Sequence, residues 1–326
     1  MGKTMVDLAK VRSMTQWRNS RPECESVIRS LLGEMPEQRA DVQVKVVDEE
    51  SFDAGYVRKR INCFVEDWER TAAWLFVPED REDAPGIVCC HSAVPQGKKE
   101  SSGIDGDPLL AFAQHYAERG YITIAPDCIS MGERTGVGKR PFDMSVLYKE
   151  HPNLTPLGKM LWDHFHAIDA LCETRGIDLA RIGVIGHEMG GVNALMLTAF
   201  DERIQACVAS NAFTRFADDD HPEHWIEDDP VALLPTLADA IEKKEFPFDW
   251  EHVLALAAPS PVMLLTGLND PNLSNPKSCE KAVKKARKIY KLLGAPDALE
   301  NVTHASGQGL SPELLAMADE WFERWL

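Results

Sequence analysis

From residue 86 to the end, the sequence alternates between short apolar runs and segments with helical periodicity. The apolar runs are uninterrupted, which is typical of strands covered by helices on both faces of a sheet. The runs are GIVCC (86–90), YITIAP (121–126), RIGVIG (181–186), IQACVAS (204–210) and PVMLLTG (261–267). The helical segments are 109–120, 158–176, 190–200, 275–294 and 312–326. This alternation predicts a doubly wound α/β sheet, mostly parallel, flanked by helices and joined by right-handed crossovers.

The first part of the chain has a different pattern. Residues 1–40 carry apolar residues at helical spacing, which predicts an N-terminal helical extension of two helices outside the core. The main domain then covers 41–326 and begins with three alternating segments, VQVKVV, YVRKRINCFV and TAAWLFVPED, which predict antiparallel strands. Residues 128–157 and 211–259 are too long for ordinary connections, so we expect lid-like insertions there.

Charge and cysteine content narrow the function classes. The chain has 52 acidic and 35 basic residues, a net charge of −17, which repels nucleic acid and anionic membranes. We expect neither as a partner, and we expect Lys98, Lys99 and the lysines of 281–291 to form solvated faces. Eight cysteines without a CxxC pair, and an N-terminus without an apolar signal segment, predict a cytoplasmic protein.

The segment RIGVIGHEMGG is the most informative motif. An apolar strand ends in Gly186-His187-Glu188-Met189-Gly190, and helical periodicity follows at once. This is the strand-turn-helix context of a nucleophile elbow, in which glycines two residues on either side of the centre allow the backbones to approach closely. A serine is expected at the centre of this motif, but the residue here is Glu188.

With the elbow and five further segments, the chain resembles the α/β-hydrolase superfamily over roughly residues 55–326. Within it, the chain is most similar to the acetyl-xylan-esterase-like and dienelactone-hydrolase-like branch. The five segments are CCHSAVPQGKKE (89–100), YAERGYITIAPDCISMGER (116–134), DERIQACVASNAFTRF (201–216), GLNDPN (267–272) and HASGQGLSPE (304–313). The resemblance implies a Ser-Asp-His triad, and the matching positions carry Glu188, Asp270 and Gln308.

Three roles remain open for Glu188 at this stage. As a nucleophile it would form an enzyme ester, and His304 would have to activate the water that clears it. As a general base it would abstract a proton in an elimination or hydration, or activate a water positioned by Gln308. As a plug it would accept hydrogen bonds from the backbone of Met189, Ser92 and Ala93 and close the site.

The resemblance also suggests roles for other residues. It implies an oxyanion hole formed by the backbone N–H groups of Met189, Ser92 and Ala93. Asp270, which orients a histidine in the family, is expected to hold the amide of Gln308 here. The predicted substrate pocket consists of His91, His187, Phe213, Arg215 and Trp225, with Arg215 paired either with a substrate carboxylate or with Asp218. The run Asp218–His224 contains carboxylates and imidazoles, but Pro222 breaks their spacing, so no metal and no cofactor are expected.

Two functions are therefore compatible with the sequence. One is an enzyme that acts on a small ester or sugar-derived substrate, by hydrolysis or by general-base elimination or hydration with Glu188. The other is a catalytically inactive pseudo-hydrolase that serves as a binding or scaffold protein. A small-molecule ligand is expected in both cases, and a homodimer in which residues 1–34 pack on a neighbouring copy is compatible with either.

Overall fold

The computed structural model describes residues 6–36, 41–64, 69–79 and 81–326. In these ranges one nine-stranded sheet has the order β1-β2-β3-β5-β4-β6-β7-β8-β9. The strands are β1 Gln43–Phe52, β2 Tyr56–Phe64, β3 Arg70–Pro78, β4 Ala84–Cys90, β5 Ile122–Pro126, β6 Ile177–His187, β7 Ile204–Ser210, β8 Val262–Gly267 and β9 Leu299–His304. The α-helices are α1 Met14–Leu32, α2 Phe112–Ala117, α3 Ser145–Glu150, α4 Pro156–Cys172, α5 Met189–Phe200, α6 Ala238–Lys243, α7 Trp250–Ala257, α8 Ser278–Leu292 and α9 Pro312–Trp325.

Strand directions confirm the predicted α/β-hydrolase fold. β1, β2 and β3 are antiparallel, and β3 also pairs antiparallel with β5. From β5 through β4 to β9 every neighbouring pair is parallel. The central strands are buried on both faces, which explains their uninterrupted apolar runs. β9, with the sequence LENVTH, was not predicted, because an edge strand needs no continuous apolar run.

Within residues 6–36, the part of the N-terminal region that the structure describes, there is one α-helix rather than the predicted two. α1 continues through Pro22, which removes one backbone hydrogen bond, because its apolar face is anchored in the main core. Trp17, Cys24 and Ile28 on this face are buried, and α1 contacts α4 and α7 of its own chain. The helix is therefore part of the core of the domain and is not a separate layer.

The second predicted insertion contains two different structures. Residues 211–249 form loops, short 3₁₀ turns and α6, above the carboxyl ends of the strands. α7 is completely buried and packs against α5 and α8, so the lid-like part ends before Trp250. The apolar run of α7 reflects a core helix within the segment that was interpreted as an insertion.

A cluster of buried charges holds the first insertion to the domain. Arg134 of this insertion forms ion pairs with Asp163 of α4 and with Glu69, which precedes β3, the latter at 2.7 Å. Lys159 of α4 bonds the same two carboxylates, at 2.6 Å to Asp163 and 2.9 Å to Glu69. Burial alone would raise the pKa of Asp163, but the charges of Arg134 and Lys159 outweigh it and lower that pKa to about 2.

The expectation that Lys98 lies on a solvated face is wrong. Its side chain is only 1% exposed and pairs with buried Asp127 at 2.5 Å and with Glu133 at 2.7 Å. A buried ammonium group is tolerated when it is paired and hydrogen-bonded. Lys98 therefore joins the loop after β4 to the loop after β5, next to the carboxyl edge of the sheet.

We expect Asp163→Asn to lower the free energy of unfolding at pH 7 by about 3 kcal/mol, since breaking a buried pair leaves uncompensated charge. Urea denaturation measures this value. Because the folded pKa of Asp163 lies below its reference value of 3.8, the stabilisation is present above that pH and is lost as the pH falls towards 2. Asp239→Asn is the matched control, since Asp239 forms an exposed i,i+4 pair with Lys243. Equal, small effects of both variants would contradict the prediction.

Candidate functional site

Glu188 lies at a sharp turn between β6 and α5, at the carboxyl edge of the sheet. Its backbone has φ 49° and ψ −118°, in a region that non-glycine residues rarely adopt. Side chains on the flanking glycines would not fit. A Cβ on Gly186 would lie 2.1 Å from the carbonyl oxygen of Gly190, and one on Gly190 would lie 2.3 Å from that of Cys90. The predicted elbow geometry is therefore present, with a carboxylate at its centre.

Two side-chain amides hold one oxygen of the Glu188 carboxylate. Gln308 Nε2 donates to Glu188 Oε1 at 2.7 Å, and Asn272 Nδ2 donates to the same oxygen at 3.0 Å. Oε2 has no hydrogen-bond partner among the residues that the structure describes. Asn272 was not singled out from the sequence, although it stands in the GLNDPN segment, because an asparagine in a turn is ordinarily a turn former.

The expected contact between Asp270 and Gln308 does not form. Asp270 instead accepts a hydrogen bond from Asn211 Nδ2 at 2.6 Å and another from the backbone N–H of Asn272 at 2.8 Å. Asn211, which follows β7 with φ 48°, also accepts from the backbone N–H of Gly267 at 2.8 Å. Burial raises the pKa of Asp270, and the nearby Glu188 charge adds to this. Asn211 therefore takes the place beside Asp270 that was assigned to Gln308.

His304 lies at the end of β9, opposite Gly267 of β8. Both of its ring nitrogens are shielded from solvent and form no hydrogen bond to a described residue. Burial lowers the pKa of His304, and the charge of Asp270 partly opposes this shift. The imidazole is thus near Asp270 but is not hydrogen-bonded to Glu188.

Two of the three backbone N–H groups predicted for an oxyanion hole are available. Those of Ala93 and Met189 donate to no acceptor in the described part of the chain, and both residues line the same cavity as Glu188. The N–H of Ser92 is not available, because it donates to Glu100 Oε2 at 2.8 Å. Glu100 is buried, which raises its pKa. The predicted role of Ser92 in an oxyanion hole is therefore wrong.

His91 shapes the loop next to this cavity, as expected for an orienting residue. The ring is buried; Nε2 accepts from the backbone N–H of Cys128 at 3.0 Å, so Nδ1 carries the proton and donates to the carbonyl of Ser92 at 2.6 Å. Burial lowers the pKa of His91, consistent with a neutral ring. His91 does not line the cavity, so its assignment to the substrate pocket is not supported by the geometry.

The cavity beside Glu188 has a volume of about 130 Å³ and mostly apolar walls, and we call it the inner cavity. Its lining consists of Ala93, Glu188, Met189, Val192, Asn211–Thr214, His224, Trp225, Asp229–Val231, Leu233, Asn272 and Leu273. Phe213 and Trp225 are thus pocket walls, as predicted. They belong to the second insertion, which covers the elbow.

Arg215 and His187 lie outside the inner cavity. The Arg215 guanidinium bonds both carboxylate oxygens of Glu251, at 2.8 and 2.9 Å, and also pairs with Asp218 and with Asp249. It is therefore not free for a substrate carboxylate. His187 is buried and its Nδ1 lies 2.9 Å from Ser210 Oγ, so the ring packs within the sheet edge. Burial lowers the pKa of His187.

The acidic residues that follow Arg215 form ion pairs and hydrogen bonds with neighbouring side chains. Asp218 pairs with Arg215 and Lys281, and Asp219 bonds His224 Nε2 at 3.1 Å and the hydroxyl of Ser274. In the described ranges no group of three or more His, Cys, Asp or Glu side chains is arranged to hold a metal ion. These charges fasten the second insertion to α8 and to the loop that precedes it.

We expect Asn211→Ala to destabilise the protein more than Asn211→Gly. Both variants lose the hydrogen bonds to Asp270 and Gly267, which costs about 2 kcal/mol. Alanine adds about 1 kcal/mol because its Cβ disfavours the left-handed backbone that glycine adopts freely. The free energy of unfolding in urea measures both terms. Wild-type stability of Asn211→Ala would show that neither contact contributes.

Sequence comparisons agree with this fold. The family model described as "Prolyl oligopeptidase family" matches residues 153–326, more than half of the chain. The protein named "Putative hydrolase YtaP" of Bacillus subtilis (strain 168) is 26% identical over 320 residues, which cover 94% of this chain and 100% of that protein.

No helix in the described ranges is long and apolar enough to cross a membrane.

Solved structures with this fold include proteins named as esterases. A glucuronoyl esterase from Solibacter usitatus superposes with a TM-score of 0.77 at 16% identity, over 96% of this chain and 94% of the other. An acetyl xylan esterase from Paenibacillus sp. R4 superposes with a TM-score of 0.64 at 16% identity, over 97% and 96% of the two chains. At this identity the likeness establishes the fold alone. With the family model matching from α4 to the C-terminus, the chain belongs to the prolyl oligopeptidase family.

Proposed function

We propose that the protein hydrolyses small esters, with Glu188 as the general base. The observation that carries this proposal is the way the Glu188 carboxylate is held: two side-chain amides donate to Oε1, and Oε2 has no partner among the described residues. This carboxylate lines a cavity in which the backbone N–H groups of Ala93 and Met189 are also unpaired. A carboxylate fixed through one oxygen presents the other in a defined position. Such positioning is what proton abstraction from a bound water requires.

The reaction proceeds in two steps on this arrangement. Glu188 Oε2 takes a proton from water as the water oxygen attacks the ester carbonyl carbon, and the carbonyl electron pair moves onto oxygen. The N–H groups of Ala93 and Met189 stabilise that oxyanion. Its collapse expels the alcohol oxygen, which takes the proton back from Glu188, so the net reaction is ester plus water to acid plus alcohol.

Contacts around Glu188 favour a base over a nucleophile. A nucleophilic carboxylate leaves a covalent intermediate that a second base must clear. Gln308, the donor to Glu188 Oε1, is an amide and takes up no proton at neutral pH. His304 forms no hydrogen bond to Glu188. General-base catalysis needs neither group to accept a proton.

The comparisons and the inner cavity support an ester with a short, uncharged acyl group. The relative in B. subtilis is named a hydrolase, and the two solved structures are named esterases. An apolar cavity of about 150 Å³ holds a molecule of the size of benzene, so the inner cavity of about 130 Å³ admits only a small group. Its lining has carboxylates at Glu188 and Asp229 and, in the described part of the chain, no lysine or arginine. An anionic acyl group is disfavoured there.

Glu188→Gln keeps the shape of the side chain but removes the base, so we expect kcat/KM for p-nitrophenyl acetate to fall at least about 100-fold. Glu188→Ala is expected to lose at least as much. Stopped assays of p-nitrophenolate release, with circular dichroism to verify folding, measure both.

The double variant Glu188→Ser/Gln308→His is the positive control, because it rebuilds the residue types of the family's triad in the same elbow. Turnover by wild type and by the double variant, but not by Glu188→Gln, is the expected outcome. Turnover by the double variant alone would contradict catalysis by Glu188 and would show that the elbow itself is competent.

Acyl-chain selectivity gives an independent test. We expect kcat/KM to fall at least about 10-fold between p-nitrophenyl acetate and p-nitrophenyl octanoate, because the longer chain exceeds the inner cavity. Val231→Ala, which widens the apolar wall of that cavity, is expected to reduce the difference. Equal rates for the two esters in wild type would contradict a short acyl site.

A binding protein is the second candidate function, and one observation favours it. The Ser92 N–H is occupied by Glu100, and an amide stands where the family has its histidine. Such a protein would bind a small ester or its acid without turnover. Saturable binding of acetate esters by wild type with no product over many hours would favour this function over the first.

A further inference from the structure

Asn211 lies directly after β7, beside the elbow, and is almost completely buried. Its backbone N–H donates to the carbonyl of Leu265 in β8 at 2.8 Å, and its side-chain Oδ1 accepts from the N–H of Gly267 at 2.8 Å. The backbone is left-handed, with φ 48°. Such a conformation costs free energy in any residue with a side chain, and at the edge of a site it points to a function for that side chain.

The neighbours of the Asn211 side chain determine which end of its amide is the donor. Nδ2 lies 2.6 Å from Asp270 Oδ2, 3.3 Å from the carbonyl oxygen of Gln308 and 3.4 Å from that of Gly307. Carbonyl and carboxylate oxygens accept hydrogen bonds, and the N–H of Gly267 donates one, so the opposite amide orientation would lose all of these contacts. Asn211 therefore donates both to Asp270 and to the segment that carries Gln308.

One of these contacts acts on Gln308. The main-chain carbonyl of Gln308 accepts from Asn211, while the side-chain Nε2 donates to Glu188 Oε1 at 2.7 Å. Glycines stand on both sides of Gln308, and a Cβ added to Gly309 would meet nothing within 4 Å, so this segment has little packing of its own. The bond from Asn211 therefore holds the main chain from which Gln308 contacts the carboxylate.

The other contact acts on Asn272 through Asp270. Asp270 Oδ2 accepts from Asn211, and Oδ1 of the same carboxylate accepts from the backbone N–H of Asn272 at 2.8 Å. The side chain of Asn272 then donates to Glu188 Oε1 at 3.0 Å. Both amides that hold Glu188 are thus connected to Asn211, although Asn211 forms no hydrogen bond to Glu188 itself.

We propose that Asn211 is a positioning residue for the hydrolysis: its amide holds both donors to Glu188 Oε1 in place and so directs Oε2 towards the attacking water. This inference rests on the proposed function of Glu188 as the general base. Displacing a catalytic group by about 1 Å can lower the rate about 100-fold, so loss of this network is expected to reduce kcat. The polar atoms of the Asn211 side chain are bonded to the protein, and KM is therefore expected to change little.

Asn211→Asp tests the donor by itself. Aspartate has the same shape, tolerates the left-handed backbone as asparagine does and still accepts from Gly267, but it cannot donate to Asp270 or to the carbonyl of Gln308. We expect kcat for p-nitrophenyl acetate to fall at least about 10-fold, with KM within about two-fold of the wild-type value. Circular dichroism verifies that the variant is folded.

The matched control makes the same chemical change on the neighbouring strand. Asn301 of β9 accepts a hydrogen bond from Thr266 at 2.7 Å and donates to Glu280 at 3.3 Å, and it forms no hydrogen bond to the groups around Glu188. Asn301→Asp therefore adds the same charge and loses the same donor outside the network. Its kcat is expected to equal that of wild type.

The exchange variant Asn211→Asp/Asp270→Asn separates the lost donor from the added charge. It keeps the net charge of wild type, and the amide at position 270 donates to the carboxylate at position 211 while still accepting from the N–H of Asn272. The connection to Asn272 is thus restored, but the donor to Gln308 is not. We expect a kcat between those of wild type and Asn211→Asp. A kcat no higher than that of Asn211→Asp, in a variant that regains stability in urea, would contradict the connection through Asp270.

A further readout is independent of turnover. The side-chain amide signals of Gln308 in nitrogen-15 NMR spectra, identified by their absence in Gln308→Leu, report on the hydrogen bond from Nε2 to Glu188. We expect these amide hydrogens to exchange with solvent at least about 10-fold faster in Asn211→Asp than in wild type, because a hydrogen bond to a charged group is lost. In Asn301→Asp the exchange rate is expected to be unchanged.

The two readouts distinguish failure of this inference from failure of the proposed function. Unchanged exchange of the Gln308 amide in Asn211→Asp, or a wild-type kcat in that variant, overturns the positioning role. Faster exchange in Asn211→Asp, with no turnover by wild type, rejects ester hydrolysis by Glu188 and keeps Asn211 as the residue that holds its carboxylate. The exchange variant takes the place of Asn211→Asp if the latter does not fold, since its kcat is also expected to remain below that of wild type.

Discussion

The close approach of the first turn of α5 to β4 and β6 is the constraint on which the rest of the site depends. Without side chains at Gly186 and Gly190, the helix backbone reaches the carbonyl oxygen of Cys90 and forces Glu188 into its left-handed conformation. That contact brings the N–H of Met189 and the loop carrying Ala93 to one cavity. A larger residue at either glycine would push α5 away from β4 and β6. The N–H of Met189 and the loop that carries Ala93 would then no longer meet at one cavity.

The buried cationic side chains are paired with carboxylates outside the inner cavity, so the charged groups that line this cavity include unpaired carboxylates. Lys98, Arg134, Lys159 and Arg215 are all buried or nearly so and are paired with carboxylates. Each pair fastens a loop or insertion to the domain, where a lone buried charge would be costly. The lining of the inner cavity therefore holds the carboxylates of Glu188 and Asp229, with no lysine or arginine of the described residues among them.

Sequence patterns predicted the fold and the position of the site, but not its internal contacts. The strands from β4 to β8 and the elbow were predictable because each depends on neighbouring residues: a run of apolar side chains, or two glycines around one position. β9 was missed because its sequence, LENVTH, contains neither a continuous apolar run nor a strict alternation of apolar and polar residues. Lys98 was interpreted as a surface residue because its partner, Asp127, lies 29 residues away.

Local patterns in the sequence by themselves determined a doubly wound α/β sheet and an elbow with Glu188 at its centre, while the resemblance to the α/β-hydrolase superfamily implied that Asp270 and Gln308 lie at the same sheet edge. Tertiary structure alone decided which polar groups pair. Gln308 donates a hydrogen bond to Glu188, 120 residues away in the sequence. Asn211 donates to Asp270, 59 residues away, and Arg215 donates to Glu251, 36 residues away. Hydrogen bonds of this kind depend on ångström-scale distances between side chains on different strands and loops, and no periodicity in the chain encodes those distances.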